Sequence, residues 1–342
     1  MPTIEKSEGD KTPALVLHRE PFLRLLREYQ KIGRVFYPVK SNSAREILTL
    51  VRDSGAGFLV SCPFYLDALI GLGVGADKIL YDNCAAEGEE IKRVCAAGVR
   101  FFYTDSGEHA AEVKAHTPHA RFLIKVSAEP ATGKRGKYGV VDFSALEEQL
   151  SGAGALDGFG FYIPDSSFCA ETLEKELDFI FSRTSSKRLM LNIGGSLKGL
   201  LHGQRERSLL ASHRERGFFE EVLLEPGRNL LNPCIVMETR VMKRRTLNGV
   251  ERLHVDASIY SGLMDVYIEG KKLIIRTEGG AGDTPYEVYG KTSDSADFLG
   301  VHRLPENLAA GDKLLIADCG AYCRDMDQAY GGAKRLAFRV FH

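Results

Sequence analysis

No apolar run in this 342-residue chain approaches the ~20 residues that cross a bilayer. The longest, such as Leu189–Ile193 and Leu314–Ala317, are far shorter, and the first eleven residues (Met1–Lys11) are polar and mixed in charge. Neither a membrane span nor a signal peptide is expected, and a cytoplasmic protein is. An excess of charge is missing too. Lys plus Arg number 45 against 46 Asp plus Glu, a net charge of −1, which argues against a nucleic-acid partner or any other polyanion. Cysteine is sparse and unpatterned: seven residues, with no CxxC pair and no Cys/His group at zinc spacing, so reduced thiols and no structural metal are the expectation. Internal repeats and low-complexity linkers are absent. What is present is ordinary globular material, 44% hydrophobic and 9% aromatic, and at about 150 residues per domain the length suggests two domains.

Eight short apolar runs recur through the first two thirds, at Arg34–Lys40, Phe58–Cys62, Ile79–Asn83, Phe101–Asp105, Phe122–Val126, Gly158–Ile163, Arg188–Ile193 and Glu221–Glu225. Their starts lie 24, 21, 22, 21, 36, 30 and 33 residues apart, and intervening stretches such as Glu87–Ala97 and Ser106–Ala115 read as amphipathic helices. Strands alternating with helices eight times imply parallel pairing through right-handed crossovers. The fold class expected is therefore α/β, a (β/α)₈ barrel, with a doubly wound open sheet as the rival. Catalytic groups of such a barrel belong where strands end and loops begin. After Pro226 the pattern changes. Cys234–Lys243, Arg252–Val255, Met264–Ile268, Lys272–Thr277 and Lys313–Ala317 read as strands, with turns at Asn248-Gly249 and Glu269-Gly270. The division expected is a barrel over 26–230 and a mostly β domain over 231–342, which Pro13–His18 within residues 1–25 joins.

Three constellations stand at ends of the expected barrel strands. Lys40 closes the first; such a lysine is either a solvated charge or, at the catalytic face, an amine placed to form a Schiff base with a carbonyl. Gly194-Gly195-Ser196 follows the seventh. It is either a tight turn or a phosphate cup, because paired glycines let backbone N–H groups approach an anion and the loops after strands seven and eight are the usual phosphate site. Glu225-Pro226-Gly227-Arg228 closes the eighth, a turn flanked by surface charges or an arginine for a phosphate beside a carboxylate for a basic ring nitrogen. Taken together, these groups suggest pyridoxal phosphate.

The set Tyr37-Pro-Val-Lys40-Ser-Asn42, Gly194-Gly195-Ser196, Glu225-Pro-Gly-Arg228, Thr292-Ser293-Asp294-Ser-Ala-Asp297 and Cys319-Gly-Ala-Tyr322 resembles the ornithine/diaminopimelate decarboxylase family, pyridoxal-phosphate enzymes of the alanine-racemase-like fold. The resemblance covers nearly the whole chain, in the same order. It implies that Lys40 is the Schiff-base lysine, that Glu225 keeps the pyridine nitrogen protonated, and that Gly194, Gly195, Ser196, Arg228 and Tyr322 bind the phosphate. A protonated ring is an electron sink for the carbanion left after carbon dioxide departs. Alanine racemases have an arginine at that nitrogen, so Glu225 favours decarboxylation. The resemblance also implies a homodimer with shared active sites, in which the Ser293-Asp294 loop enters the partner's site and Asp294 meets a distal amine of the substrate.

Departures from the family bear on the substrate. Ser293 stands where the family has a cysteine that helps reprotonate the substrate carbon, and a hydroxyl is a much weaker acid than a thiol. Tyr162 replaces a histidine stacked on the cofactor ring. Asp165 follows where a small phosphate-binding residue is usual, leaving that role to Ser166 or Ser167. The run Phe58–Tyr65 lacks the family's usual acidic residues, whereas Lys134-Arg135-Gly-Lys137 is a solvated basic loop or, facing the site, a receiver of substrate carboxylates with Arg135 among them. The activity expected is decarboxylation of an L-diamino acid or a conjugate of one. The departures lean toward the conjugate, such as the citryl-ornithine that some family members decarboxylate in siderophore assembly. Alternatives are a decarboxylase of free ornithine or lysine in polyamine synthesis, an amino-acid racemase, and a catalytically idle regulatory homologue.

Overall fold

The computed structural model describes residues 11–342 except 134, 135, 198, 269 and 281. The chain forms two compact units, Leu23–Asn229 and the described residues through Phe22 with Leu230–His342. The first strand, β1 (Ala14–His18), belongs to the second of these.

Leu23–Asn229 is a closed barrel of parallel strands in sequence order: β2 (Arg34–Pro38), β3 (Gly57–Val60), β4 (Ile79–Tyr81), β5 (Phe101–Thr104), β6 (Arg121–Lys125), β7 (Leu156–Gly160), β8 (Leu189–Asn192) and β9 (Phe219–Leu224). The last pairs with the first through Arg34↔Leu223 and Val35↔Leu224. Every apolar run singled out in the sequence contributes one of these strands. Inside, Phe36, Leu59, Leu80, Tyr103, Leu123 and Leu223 pack into one buried cluster, so the barrel centre is filled by side chains. Helices close the outside. Gly107–His116 begins where the Ser106 hydroxyl accepts a hydrogen bond from the His109 N–H (3.1 Å), and Gly88–Ala96 buries Ile91, Val94 and Cys95 along one stripe. Two glycines in β7 are sterically required: a methyl group on Gly158 would lie 1.9 Å from the Met190 carbonyl oxygen of β8, and one on Gly160 would lie 2.4 Å from the Tyr103 hydroxyl.

The second unit is a sheet in the order β12-β15-β10-β11-β13-β14, built from β10 (Ile235–Leu247), β11 (Val250–Val255), β12 (Ile274–Arg276), β13 (Thr284–Tyr289), β14 (Phe298–Leu304) and β15 (Lys313–Ala317). β1 lies between β10, antiparallel, and β16 (Ala337–Phe341), parallel. Asn248-Gly249 turns β10 into β11, both residues at positive φ as such tight turns demand. The buried Asp256 carboxylate ties the N-terminal segment down, accepting from the hydroxyls of Thr12 (2.6 Å) and Thr239 (2.8 Å) and from Lys334 (3.2 Å). The sequence reading of Met264–Ile268 as a strand is corrected: the segment is a short α-helix, entered through a turn in which Leu263 N–H donates to the Ile259 carbonyl. Five residues, four of them apolar, carry no period long enough to tell strand from helix, and local backbone bonding decided it. Among the described residues no helix is long and apolar enough to cross a membrane, and no cluster of metal-ligating side chains occurs.

Candidate active site

The C-terminal ends of the barrel strands bring Lys40, Asp82, Lys125, Asn192 and Glu225 to one end of this unit. Lys40 lies in the single 3₁₀ turn Val39–Ser41 that follows β2, with an exposed side chain. The Tyr37 hydroxyl donates to the Asn42 carbonyl (2.9 Å) and Ala44 N–H to Asn42 Oδ1 (3.1 Å), which fixes the turn that presents the lysine. On the neighbouring strand, Glu225 follows β9. Its Oε1 accepts from Asn192 Nδ2 (2.8 Å) at the end of β8 and from the Tyr103 hydroxyl (3.2 Å) on β5. Asn192 Oδ1 in turn accepts from Gly194 N–H (2.9 Å), and Glu225 N–H donates to the Gly194 carbonyl (2.9 Å). The glycine turn and the carboxylate are thereby one hydrogen-bonded unit. Gly194 has φ +71°, and a side chain on Gly195 would meet the Glu225 carbonyl oxygen at 2.5 Å, so both positions require glycine.

The charges form a second layer. Lys125, at the end of β6, bonds Asp82, just past β4, at 2.5 Å, and its ammonium lies 4.8 Å from the Tyr103 ring and 5.5 Å from the Tyr138 ring. Burial works against the lysine's charge, but the Asp82 carboxylate outweighs it and holds the ammonium above its ordinary pKa. Glu225 is pushed above the usual carboxylate range, chiefly by burial and next by the Asp82 charge, while Lys125, Lys40 and the Asn192 hydrogen bond pull it back. The Lys40 charge thus acts on the Glu225 carboxyl from the end of the neighbouring strand. A carboxyl poised this way exchanges its proton readily with a basic partner.

These residues fit a phosphorylated pyridine aldehyde. Lys40 supplies an amine, Glu225 a buried carboxyl for a ring nitrogen, and Gly194-Gly195 a cradle that any Cβ would fill. The Ser196 hydroxyl is buried without a hydrogen-bond partner, as a donor awaiting an anion would be. Arg228 opens the short helix Arg228–Leu231, half-buried. Of the other positions singled out in the sequence, Tyr162 sits beside Gly194, its ring edge 3.5 Å from where a Gly194 Cβ would be, and is 50% exposed, open for a planar group to cover. Ser166 is an exposed turn residue, and one Asp165 oxygen is buried without a hydrogen-bond partner. Ser293, Asp294 and Tyr322 belong to the β unit. There the Asp294 carboxylate accepts from the hydroxyls of Tyr260 (2.8 Å) and Tyr330 (3.5 Å), Ser293 is exposed, and Tyr322 holds φ +59°, a conformation rare outside glycine that often marks function. Arg135, with Lys134, lies outside the described residues.

Residues 19–156 match the sequence model of the pyridoxal-dependent decarboxylase family, pyridoxal binding domain. The ornithine decarboxylase of Schizosaccharomyces pombe is 25% identical over 349 residues, covering 92% of this chain and 79% of that protein. The diaminopimelate decarboxylase of Pseudomonas aeruginosa is 25% identical, covering 89% and 80%. Among solved structures, the lysine/ornithine decarboxylase of Vibrio vulnificus complexed with cadaverine shares the fold, with a TM-score of 0.84 at 18% identity over 98% of this chain and 96% of that one. The stretch similar to that family's pyridoxal-binding domain, residues 19–156, takes in β2 to β6 of the barrel. Pyridoxal phosphate is accordingly the cofactor of this decarboxylase, and amino-acid decarboxylation its chemistry.

Sequence reasoning missed Asp82, Tyr103, Lys125 and Asn192 as members of this decarboxylase's site. All four sit in runs it had identified as strands, at or near their C-terminal ends, so the rule that places catalytic groups there would have found them. They went unremarked because a single Asp or Lys beside a strand reads as a solubilising charge.

Proposed function

We propose that this decarboxylase removes the α-carboxyl group of a basic L-amino acid, with Lys40 and Glu225 as its catalytic pair. The observation that carries the reading is the convergence at one end of the barrel of an amine after β2 and a buried carboxyl after the neighbouring β9, the carboxyl joined to the Gly194-Gly195 turn through Asn192. The bound cofactor supplies an electron sink. Gly194, Gly195, Ser196 and Arg228 would hold its phosphate, with Tyr162 beside that turn to cover its ring. Glu225 holds a proton at the ring nitrogen, its carboxylate kept in place by Asn192 and Tyr103. Lys40 would hold the cofactor through its amine.

The β-unit loop completes the proposal. Ser293 and Asp294 act on the site of a second copy in a homodimer. Asp294, whose carboxyl is held below its usual pKa by the Ala296 N–H and the Tyr260 hydroxyl, is ionised and ready for the substrate's distal cation. A second reading, a substrate conjugated through its distal amine to a polycarboxylate, is favoured by Ser293 in place of a cysteine and by the basic segment that contains Arg135. Incubating the cofactor-loaded protein with ornithine, lysine, arginine, diaminopimelate and citryl-ornithine, with product masses read out, separates the two. Decarboxylation of a free basic amino acid supports the first. Loss of carbon dioxide from the conjugate alone establishes the second and removes Asp294 as a cation contact.

A further inference from the structure

Ser41, the residue after Lys40, is fully buried, and its hydroxyl has no hydrogen-bond partner among the described residues. Sequence reasoning gave it no role. A buried unpaired hydroxyl is costly, and native structures leave few without a reason. The surroundings supply one. A Cβ built on Gly227 would come within 2.6 Å of Ser41 Oγ and 3.5 Å of Pro38 Cγ, so the hydroxyl abuts the Glu225-Pro226-Gly227-Arg228 turn at its glycine. Asn42 N–H returns to the Val39 carbonyl, and the Asn42 side chain accepts from Ala44. Ser196 follows Gly195, which packs on the Glu225 carbonyl; it is 1% exposed and its hydroxyl is equally unpartnered among the described residues, while Asn229 reaches the Gly195 carbonyl (3.4 Å) and occupies one nearby acceptor. Two buried hydroxyl donors thus border a turn that ends in an arginine, with no acceptor for either. The ligand chemistry that satisfies such a set is a multiply charged oxyanion, which offers several acceptors in one small volume.

We infer that the Ser41 hydroxyl donates a hydrogen bond to the phosphate of the bound cofactor, an inference that rests on the cofactor placement proposed above. Ser41 then fastens the residue next to Lys40 to the same anion that the glycine turn holds, so the amine and the phosphate cup are set at a fixed spacing. Gly227 is required for the same contact, since any side chain there would displace Oγ.

The test compares pyridoxal phosphate with pyridoxal, which lacks the phosphate, by titrating the Lys40-dependent visible absorbance of wild type, Ser41→Ala and Ser41→Cys, with thermal melts of the cofactor-free proteins. Ser41→Cys keeps the volume and replaces a good donor with a weak one. Both variants are expected to weaken pyridoxal phosphate by about 10-fold or more, the usual worth of a hydrogen bond to a charged group. Pyridoxal binding should stay within about twofold, and the cofactor-free Ser41→Ala protein should melt no lower than wild type, because it loses an unsatisfied buried hydroxyl. Equal weakening of both ligands, or of neither, overturns the assignment and makes Ser41 a packing residue. A wild type that gives no Lys40-dependent band with either ligand overturns the cofactor placement itself.

Discussion

At the residue scale, the decarboxylase depends on how Glu225 is charged, and Lys125 sets much of that. The Lys125–Asp82 pair is largely buried, the side chains 16% and 10% exposed, so each charge depends on the other. Lys125→Met removes a cation that lowers the Glu225 pKa and exposes Glu225 to an unbalanced Asp82, and both effects raise it. The carboxylate is the working form. The acid limb of the pH–rate profile should therefore move to higher pH in Lys125→Met, and move back in Lys125→Met/Asp82→Asn. A limb that stays put in the single variant would show that Glu225 does not govern activity. Lys40 and Glu225 were legible in the sequence because each closes an apolar run and stands in a motif. The Lys125–Asp82 pair was not, since its members lie 43 residues apart and only barrel closure brings them together.

At the element scale, the helix Ala170–Phe181 contains an anomaly. Glu176 lies on the same buried stripe as Leu173, Leu177 and Ile180, and neither carboxyl oxygen has a hydrogen-bond partner among the described residues. Burial pushes its pKa up to about 8. Below the ordinary value of 4.5 both folded and unfolded chains hold this proton, and the residue has no pH effect. Between that value and about 8 the unfolded chain releases it while the folded chain keeps it, so stability falls as pH rises through this window. Glu176→Leu should raise the melting temperature by a margin that grows from pH 5 to pH 8 and then levels. A margin independent of pH would mean that the carboxyl is solvated in the native protein. The helix itself was foreseeable from the strand spacing around it, but a glutamate within an apolar stripe gives no signal in a Glu-Lys-Glu-Leu sequence. The same limit produced the misread Met264–Ile268, where four apolar residues among five fit two periods.

At the scale of the whole molecule, the alternation of strand and helix made the barrel legible, because eight apolar runs separated by helix-length stretches admit few closures. The β unit was only partly legible: β13, β14 and β16 are short and mixed in polarity, with burial patterns that alternate weakly. No sequence pattern shows which copy's site the Ser293-Asp294 loop serves, and that proposal has its own test. Mixing inactive Lys40→Ala with inactive Asp294→Ala should regenerate about a quarter of wild-type activity if subunits exchange freely into a dimer with shared sites, since one site of the mixed dimer is then intact. No recovery from subunits shown to exchange would place both residues in the same copy's site.

The central claim is that Lys40 and Glu225 together make this barrel a pyridoxal-phosphate decarboxylase of basic amino acids. The most direct measurement is carbon dioxide released from carboxyl-labelled basic amino acids, with the chirality of remaining substrate followed in the same vessel, for wild type, Lys40→Ala and Glu225→Gln. The account predicts release by wild type, none above background from Lys40→Ala, a fall of at least about 100-fold in Glu225→Gln, and unchanged chirality of the remaining substrate. Racemisation without carbon dioxide, or release that survives Lys40→Ala, would contradict it.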